Sequence, residues 1–259
     1  MSIRAVLFDL YGTLIHIETD ESQGEIYWAM ARYLSYHRIH ISPDSLRERY
    51  FDLAKQQKRN SSETYPELDA RGAWREILRT GSKHFRPESV ASEGEHRVKE
   101  VEKRRDHLAK ELVRLHRALS RRSIERYPGA KELLQSIAGE FHLGIVSDAQ
   151  VEFAKPEMRI TKIRKYFPAK TISSAYGFRK PDPRLFTETC HALQVRPEES
   201  IYVGNDMYRD VSGARQAGLK TILVWSDQGR KEYRDVRADY DARDLYQVLE
   251  GVRFLAERH

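Results

Sequence analysis

The chain has 259 residues and 40% hydrophobic content, which is enough for a sizeable core in one or two domains. Its net charge is +6, and its single cysteine, Cys190, excludes an intramolecular disulfide and fits a reducing compartment. No segment has the long apolar run of a membrane helix. The first predicted strand begins by Ile3, which leaves no room for a signal peptide. We therefore expect a cytoplasmic protein that does not enter a membrane.

The first predicted element is a buried strand that ends in an acidic turn. The apolar run 5–8 (AVLF) shows no alternation, which indicates a strand buried on both faces, as in a parallel sheet. Asp9 follows directly, and Gly12 marks a turn before Thr13. In open α/β sheets, ligands bind at the carboxyl ends of such strands. Asp9 is therefore expected at a functional edge of the sheet.

Residues from about 17 to 125 are almost all helical in pattern. Ser42-Pro43 is a helix-start signal, with the proline at the first helical position. Residues 93–122 read as one long helix with a short heptad pattern of apolar residues: Val98, Val101, Leu108, Leu112, Leu115 and Leu119. We interpret it as a helix that packs on its neighbours. A dimer seam is the alternative, so a monomer and a homodimer both stay open.

Positive charge is concentrated in this helical segment. Residues 81–127 carry thirteen Lys and Arg against eight Asp and Glu, a net charge of +5. A basic surface attracts anionic substrates or nucleic acid. No aromatic-interleaved basic groove or nucleic-acid motif accompanies the charge. We interpret it as a solvated helix face, which argues against a nucleic-acid partner.

Strand–helix alternation begins again at residues 127–129 (YPG). It predicts helices at 129–138, 150–166, 182–194, 209–217 and 241–256, and strands ending at Ser147, around 171–172, at 200–203 and at 221–224. Repeated units of this kind imply a parallel sheet with helices on both faces. The predicted architecture is an α/β core formed by 1–16 and 126–259, with 17–125 as an inserted all-helical domain.

Polar residues follow the later strands as Asp9 follows the first. Ser147-Asp148 ends one strand, and Gly204-Asn205-Asp206 ends another, with Asp210 one helical turn further on. Lys180 stands just before a helix start at residues 181–183 (PDP). Parallel strands would bring these groups to one edge of the sheet.

These segments resemble the four motifs of the haloacid dehalogenase (HAD) superfamily of hydrolases. The matching residues are FDLYGTL at 8–14, Ser147, Lys180-Pro181, and 204–210, in the family's order and separations. The resemblance covers essentially the whole chain. It implies an enzyme with a Rossmann-like core and a helical C1-type cap. In the family, the residue that matches Asp9 is a nucleophile whose covalent intermediate water resolves.

The resemblance also implies the surroundings of that nucleophile. Lys180 would balance its charge, and Ser147, Thr13 and the N–H groups around Asp148 would bind phosphate oxygens of a small anionic substrate. Tyr27, Trp28 and the loop 65–67 are guesses for further substrate contacts.

A magnesium ion is expected in the same site, because hard oxygen ligands suit it. The resemblance implies Asp9, the Tyr11 carbonyl and, from the fourth motif, Asp206 as ligands. Asp210 is either a further ligand or the partner of Lys180. Asn205 stands where many relatives carry aspartate, which leaves the ligand from this motif open.

Tyr11 departs from the phosphatase pattern, which usually has a second aspartate there as acid and base. A tyrosine, with an ordinary pKa of about 10, is a poor base near neutrality. The Asp-x-Tyr-Gly-Thr form resembles the 2-haloacid dehalogenases, whose halide leaves without a proton, and a set of phosphatase-like relatives.

The second and fourth motifs favour a phosphatase. The dehalogenases carry Ser-Asn where this chain has Ser147-Asp148, and they use no metal. Asp206 and Asp210 beside Asp9 would also repel an anionic haloacid unless a cation intervened. The predicted function is a Mg²⁺-dependent phosphatase for a small phosphorylated metabolite. A metal-free 2-haloacid dehalogenase is one alternative. A catalytically weak HAD-fold module that binds a partner through basic helix 93–122 is another.

Overall fold

The computed structural model describes residues 2–258, which divide into two compact units. The α/β unit contains the chain up to Ile17, the segment Glu63–Glu67, and the chain from Ser123 onward. The helical unit contains Glu18–Ser62 and Leu68–Arg122. In residues 2–258, no helix is both long enough and apolar enough to cross a membrane.

The described strands are short, and most of them belong to the α/β unit. They are β1 (Ala5–Phe8), β2 (Ile15–Thr19), β3 (Arg121–Arg126), β4 (His142–Ser147), β5 (Ala169–Ile172), β6 (Ser200–Gly204), β7 (Lys220–Val224) and β8 (Tyr240–Ala242). The α-helices are α1 (Gly24–Ser35), α2 (Pro43–Asn60), α3 (Ala70–Gly81), α4 (Glu95–Ser120), α5 (Ala130–Ile137), α6 (Val151–Ile160), α7 (Pro183–Ala192), α8 (Gly213–Gln216) and α9 (Leu245–Glu257).

A six-stranded parallel sheet forms the centre of the α/β unit. Its strand order is β5-β4-β1-β6-β7-β8, and Phe8 of β1 pairs with Ile145 of β4 and Val203 of β6. Apolar side chains of β1 are fully buried on both faces, as expected for a strand covered by helices on each side. The predicted α/β fold class is confirmed. Since β1, β4 and β6 are adjacent and parallel, the residues that follow them share one edge.

The helical unit has an aromatic core. Tyr27, Tyr50, Trp74 and His116 are buried and lie ring against ring, with centroids 4.9 Å apart for Tyr50 and His116. Burial lowers the pKa of His116 to about 4, so the imidazole is neutral near pH 7. This histidine is part of the core.

Helix α4 buries one face within this unit, although not all the residues of the predicted heptads. Its buried residues are Val101, Leu108, Ala109, Leu112, Val113, His116 and Ser120. Leu119, which the heptad pattern includes, is 38% exposed. The sequence identified the helix correctly but not all of its packing face, because an α-helix drifts relative to a seven-residue repeat.

The sequence did not predict three of the strands, β2, β3 and β8. The 17–125 segment is not helical at its ends, where β2 and β3 pair with each other in a two-stranded sheet. The last helix begins at Leu245 and not at 241, because residues 240–242 form the edge strand β8 beside β7. These strands are short, and β3 is rich in arginine, so the apolar pattern that marks the central strands is missing.

Candidate active site

Asp9 and Lys180 form a buried ion pair at the carboxyl end of β1. The main-chain N–H of Asp9 donates to the Val203 carbonyl of neighbouring β6 at 2.9 Å, which fixes the position of Asp9 at the sheet edge. Lys180 Nζ lies 2.8 Å from Asp9 Oδ1. Burial raises the pKa of Asp9 to about 6, although the charge of Lys180 acts in the opposite direction. The pair therefore orients a carboxylate that is ionised at neutral pH.

Asp210 is the second carboxylate that contacts Lys180. Its Oδ1 lies 2.5 Å from Lys180 Nζ. Its Oδ2 accepts hydrogen bonds from the N–H groups of Asn205 and Asp206, at 3.0 and 2.9 Å. Gly204 permits this approach, because a Cβ at that position would lie 2.4 Å from Asp210 Cβ. Asp210 thus joins the turn after β6 to the lysine beside Asp9.

Tyr202 on β6 completes this cluster, and sequence analysis missed it. Its hydroxyl lies 3.1 Å from Lys180 Nζ, 3.0 Å from Asp210 Oδ1 and 3.2 Å from the Val146 carbonyl. Burial raises the pKa of Tyr202 well above its usual range, so the phenol is neutral. Burial alone would lower the pKa of Lys180. The carboxylates of Asp210 and Asp9 outweigh this effect and raise the pKa above its usual value, so the lysine is charged. An aromatic residue inside an apolar strand gave no sign of this role.

Asp148 holds the loop that carries Lys180. Its Oδ1 accepts a hydrogen bond from the Lys180 main-chain N–H at 2.8 Å, and its Oδ2 lies 3.3 Å from Arg179 Nη2. The next N–H along the chain, that of Ala149, donates to Ser173 Oγ at 2.9 Å. The contacts of Asp148 are those of a positioning residue, and its predicted contact with substrate stays a prediction.

Ser147 and Thr13 present buried hydroxyls beside this cluster. Within residues 2–258, Ser147 Oγ is buried and has no hydrogen-bond partner. Thr13 Oγ1 lies 3.4 Å from Asn205 Oδ1. A buried hydroxyl without a partner costs about 1–3 kcal/mol, so the position of Ser147 is explained if a substrate oxygen supplies the missing hydrogen bond.

Asp206 is engaged at both carboxylate oxygens. Oδ1 accepts from the N–H groups of Tyr208 and Arg209, at 3.0 and 2.8 Å, and so caps the π-helical turn Met207–Ser212. Oδ2 lies 3.1 Å from Arg209 Nη2. Burial would raise the pKa of Asp206, but the N–H and the guanidinium of Arg209 lower it below its usual range. Arg209 is a second cation of the site that sequence analysis missed.

Asn205 is a buried residue of the turn after β6 whose side-chain oxygen has no cationic partner in the described chain. Its Nδ2 donates to Ser226 Oγ at 3.3 Å, and its Oδ1 accepts a hydrogen bond from Thr13 Oγ1 at 3.4 Å. Gly12 allows this packing, since its φ is +82° and a Cβ there would lie 2.3 Å from Asn205 Nδ2. The amide oxygen of Asn205 is thus held close to the turn that follows Asp9.

The donors of this edge fit a magnesium ion held largely by water and substrate. In residues 2–258, no three Asp, Glu, His or Cys side chains are grouped so as to hold a metal by themselves. Mg²⁺ commonly takes only one or two carboxylates, and waters and substrate phosphate complete its shell. Asp9 and Asn205 suit that pattern. The predicted ligands Asp206 and Asp210 each contact a cationic side chain, as Asp9 does, and their part in a metal site stays a prediction.

Tyr11 directs its hydroxyl toward helix α6. The phenol donates a short hydrogen bond to the Glu157 carboxylate, which is buried on that helix. Glu157 lies 146 residues from Tyr11 in the chain, so nothing local in the sequence indicated the contact. The hydroxyl is therefore held by α6, and its part in the chemistry stays a prediction.

The three guessed substrate contacts lie in different places. Tyr27 is buried in the helical unit, and Trp28 in the same unit is 56% exposed. The segment Glu63–Glu67 belongs to the α/β unit, although the sequence placed it inside the insert. The Arg179 N–H donates to the Tyr65 carbonyl at 2.8 Å. The loop 65–67 is thus the one of the three predicted contacts that is hydrogen-bonded to the loop carrying Lys180.

Known proteins resemble this chain in sequence and in fold. The glyceraldehyde 3-phosphate phosphatase of Pyrococcus furiosus is 32% identical over 133 residues, which cover 49% of this chain and 54% of the relative. The chain therefore aligns with about half the length of that curated relative.

Two solved structures share the fold. A HAD phosphatase from Thermococcus onnurineus is 20% identical with a TM-score of 0.56, covering 96% of this chain and 98% of its own. The 2-haloacid dehalogenase of Pseudomonas syringae pv. Tomato DC3000 is 21% identical with a TM-score of 0.54, covering 98% of this chain and 100% of its own. A phosphatase and a dehalogenase match equally well, so the fold does not decide the reaction.

A family model covers most of the chain. It describes haloacid dehalogenase-like hydrolases and matches residues 3–218, a range that includes every residue of the Asp9–Lys180–Asp210 cluster. On this match, and with the sheet and strand-end residues described above, the chain belongs to the haloacid dehalogenase-like hydrolases.

Proposed function

We propose that this protein is a phosphatase that transfers the phosphoryl group of a small phosphorylated metabolite to Asp9 and then to water. The observation that carries the proposal is the buried Ser147 hydroxyl, without a partner in the described chain, at the edge where Lys180 orients Asp9. A tetrahedral phosphoryl group would supply the missing acceptor. The similarity to an archaeal phosphatase supports the same choice.

The first step places phosphorus on the carboxylate. An oxygen of Asp9 attacks the phosphorus atom, the bond from phosphorus to the ester oxygen breaks, and the leaving oxygen takes a proton from water. Lys180 keeps Asp9 ionised and offsets the charge of the incoming phosphate. Ser147 and Thr13 would donate to the non-bridging oxygens.

The second step releases phosphate. A water molecule attacks the phosphorus of the acyl phosphate, the bond to Asp9 breaks and regenerates its carboxylate, and the protons of the water leave with inorganic phosphate, one of them passing to the hydroxide that the first step produced. Tyr11 takes no part, because its hydroxyl is bound to Glu157. Because this mechanism uses no side-chain acid for the leaving group, we expect substrates with good leaving groups, such as aryl phosphates and acyl phosphates, to react fastest.

A magnesium ion would be held by Asp9, the Tyr11 carbonyl and the Asn205 side-chain oxygen. When bound, it would offset the negative charge of the phosphoryl group. Asp210 would keep Lys180 in place, and Asp206 would fix Arg209 beside the site.

The helical unit is inserted after β1, as a C1-type cap is, and we propose that role for it. We also propose a cytoplasmic location, which suits a chain whose one cysteine, Cys190, is buried and cannot form an intramolecular disulfide.

A second candidate, the 2-haloacid dehalogenase, gains from one observation. From the sequence we expect Asp206 and Asp210 to repel an anionic haloacid. In the structure, however, Arg209 and Lys180 offset the charges of these two carboxylates. Charge therefore does not exclude a haloacid. In that reaction Asp9 would attack carbon, and halide would leave without a proton.

A substrate panel separates the two candidates. The purified protein is assayed for phosphate release from aryl, acyl and alkyl phosphates and for halide release from 2-haloacids, with Mg²⁺ or with EDTA. We expect Mg²⁺-dependent phosphate release that EDTA suppresses and Asp9→Asn abolishes. Halide release alone, indifferent to EDTA, would establish the dehalogenase instead.

A further inference from the structure

The α/β unit contains a strongly basic groove apart from the catalytic cluster. Its volume is about 680 Å³, and seven of its nine lining residues are Lys or Arg, with no Asp or Glu among them. We call it the basic groove: Arg126, Lys131, Met158, Arg159, Lys162, Arg164, Lys165, Tyr166 and Lys170.

The basic groove is built from different elements than the active site. Its residues come from the end of β3, the first turn of α5, the last part of α6, the short turn that follows, and β5. Asp9, Ser147 and Asp210, by contrast, follow β1, β4 and β6. No residue of the catalytic cluster lines the groove.

Within residues 2–258, none of the seven cations of the groove forms an ion pair with a carboxylate. Arg126 donates to the Thr161 carbonyl at 3.0 Å, and Lys170 donates to the carbonyls of Phe167 and Pro168. Burial lowers the pKa of Lys170, and the neighbouring charge of Arg164 lowers it further. The groove therefore concentrates positive charge that an anion would stabilise.

The long basic helix that the sequence singled out behaves differently. On α4, Arg97 lies 2.6 Å from Glu100 and 3.4 Å from Glu93, and Lys99 lies 3.5 Å from Glu95. Two of its cations, Arg97 and Lys99, thus have carboxylate partners on the helix or just before it. In the groove, by contrast, no cation forms an ion pair with a carboxylate of residues 2–258.

We propose that the basic groove binds an anion that carries a chain of several phosphate groups, as in tripolyphosphate or a nucleoside triphosphate. Its volume is in the range of about 300–1,000 Å³ that is usual for small-molecule sites. Seven cations exceed what one phosphate can neutralise. Single-stranded nucleic acid is bound on a series of aromatic platforms along an extended groove, whereas this groove has one aromatic residue, Tyr166. Binding here is independent of the reaction at Asp9.

Calorimetry on the full-length protein tests the proposal. The Asp9→Asn background removes turnover, and the probes are tripolyphosphate, ATP, inorganic phosphate and a ten-nucleotide single-stranded RNA. The groove variant is Arg159→Gln with Arg164→Gln, two exposed side chains. The matched control is Arg243→Gln with Arg253→Gln, which removes two exposed arginines of the same unit outside the groove.

We expect tripolyphosphate and ATP to bind much more tightly than inorganic phosphate. The groove variant should weaken both at least tenfold, and the control should change them less than twofold. A preference for ATP over tripolyphosphate would show that Tyr166 contacts the base; equal affinity would show that the phosphate chain suffices. The proposal is overturned if neither probe binds, if the groove variant binds them as the control does, or if RNA alone binds. Circular dichroism of both variants checks that the fold is retained.

Discussion

The active site and the basic groove differ in whether their cations are paired with carboxylates. Lys180 is buried, lies 2.8 Å from Asp9 and 2.5 Å from Asp210, and has the Tyr202 hydroxyl as a third neighbour. Lys165 of the groove is exposed and packs over the Tyr166 ring, with its Nζ 5.0 Å from the ring centroid. Lys180, which is paired with carboxylates, fixes the position of the nucleophile Asp9. Lys165, which has no such partner in the described chain, can form an ion pair with an anionic ligand.

Replacement of the nucleophile should give the largest effect and marks the active site as the region of chemistry. Asp9→Asn keeps the shape and a hydrogen-bonding group beside Lys180 but cannot attack phosphorus. We expect turnover to fall more than about 10³-fold, measured as steady-state phosphate release, with an unchanged circular dichroism spectrum. Normal activity in this variant would end the covalent mechanism.

Replacing Lys180 or Lys165 by methionine tests the comparison through the free energy of unfolding. Lys180→Met leaves two buried carboxylates without their cation, which should lower the free energy of unfolding by about 3–5 kcal/mol. Lys165→Met removes an exposed cation among like charges and should change it by less than about 0.5 kcal/mol. Urea denaturation at pH 7.5 measures both. Equal losses in the two variants would contradict the difference drawn between the two regions.

The pH dependence of activity sharpens the description of the Asp9 pair. The attacking carboxylate must be ionised, and burial raises its pKa to about 6. Activity should therefore be lost as the pH falls, with kcat/KM at pH 5 about tenfold below its plateau above pH 7. An aryl phosphate assay between pH 4.5 and 8, with stability checked at each pH, measures this. A profile that stays flat down to pH 5 would show that Asp9 titrates at its ordinary value.

Tyr11 should show the smallest effect on activity. Tyr11→Phe removes its hydrogen bond to Glu157, which we expect to cost about 1 kcal/mol of stability and less than threefold in rate on an aryl phosphate. Tyr11→Asp should raise the rate on an alkyl phosphate, because a carboxyl group can protonate the departing alkoxide and such groups typically contribute about 10²–10⁴-fold.

A control separates chemistry from packing at this position. If Tyr11→Asp merely disturbs the turn, its activity on the aryl phosphate should fall as well. A hundredfold loss in Tyr11→Phe, with its fold retained, would mean that the phenol takes part in the reaction.

The sequence by itself determined the parallel sheet and the groups at its edge. Apolar runs such as Ala5–Phe8 are distinctive, and parallel strands bring the residues that follow them together. The positions of Asp9, Ser147 and the 205–210 turn at that edge therefore follow from the order of residues, whereas Lys180 was placed there by its motif before a helix start. Their chemistry depends on residue type and on position at a strand end, and both are local properties of the chain.

Only the tertiary structure decided which groups pair. Tyr202 contacts Lys180, Glu157 binds Tyr11, and Thr13 meets the side chain of Asn205. It also showed where positive charge lacks carboxylate partners, since Arg97 and Lys99 of the basic helix α4 pair with glutamates, whereas the groove brings together unpaired cations from four stretches of the chain. Pairing depends on distances of a few ångströms between residues remote in the chain, and composition and spacing do not contain those distances.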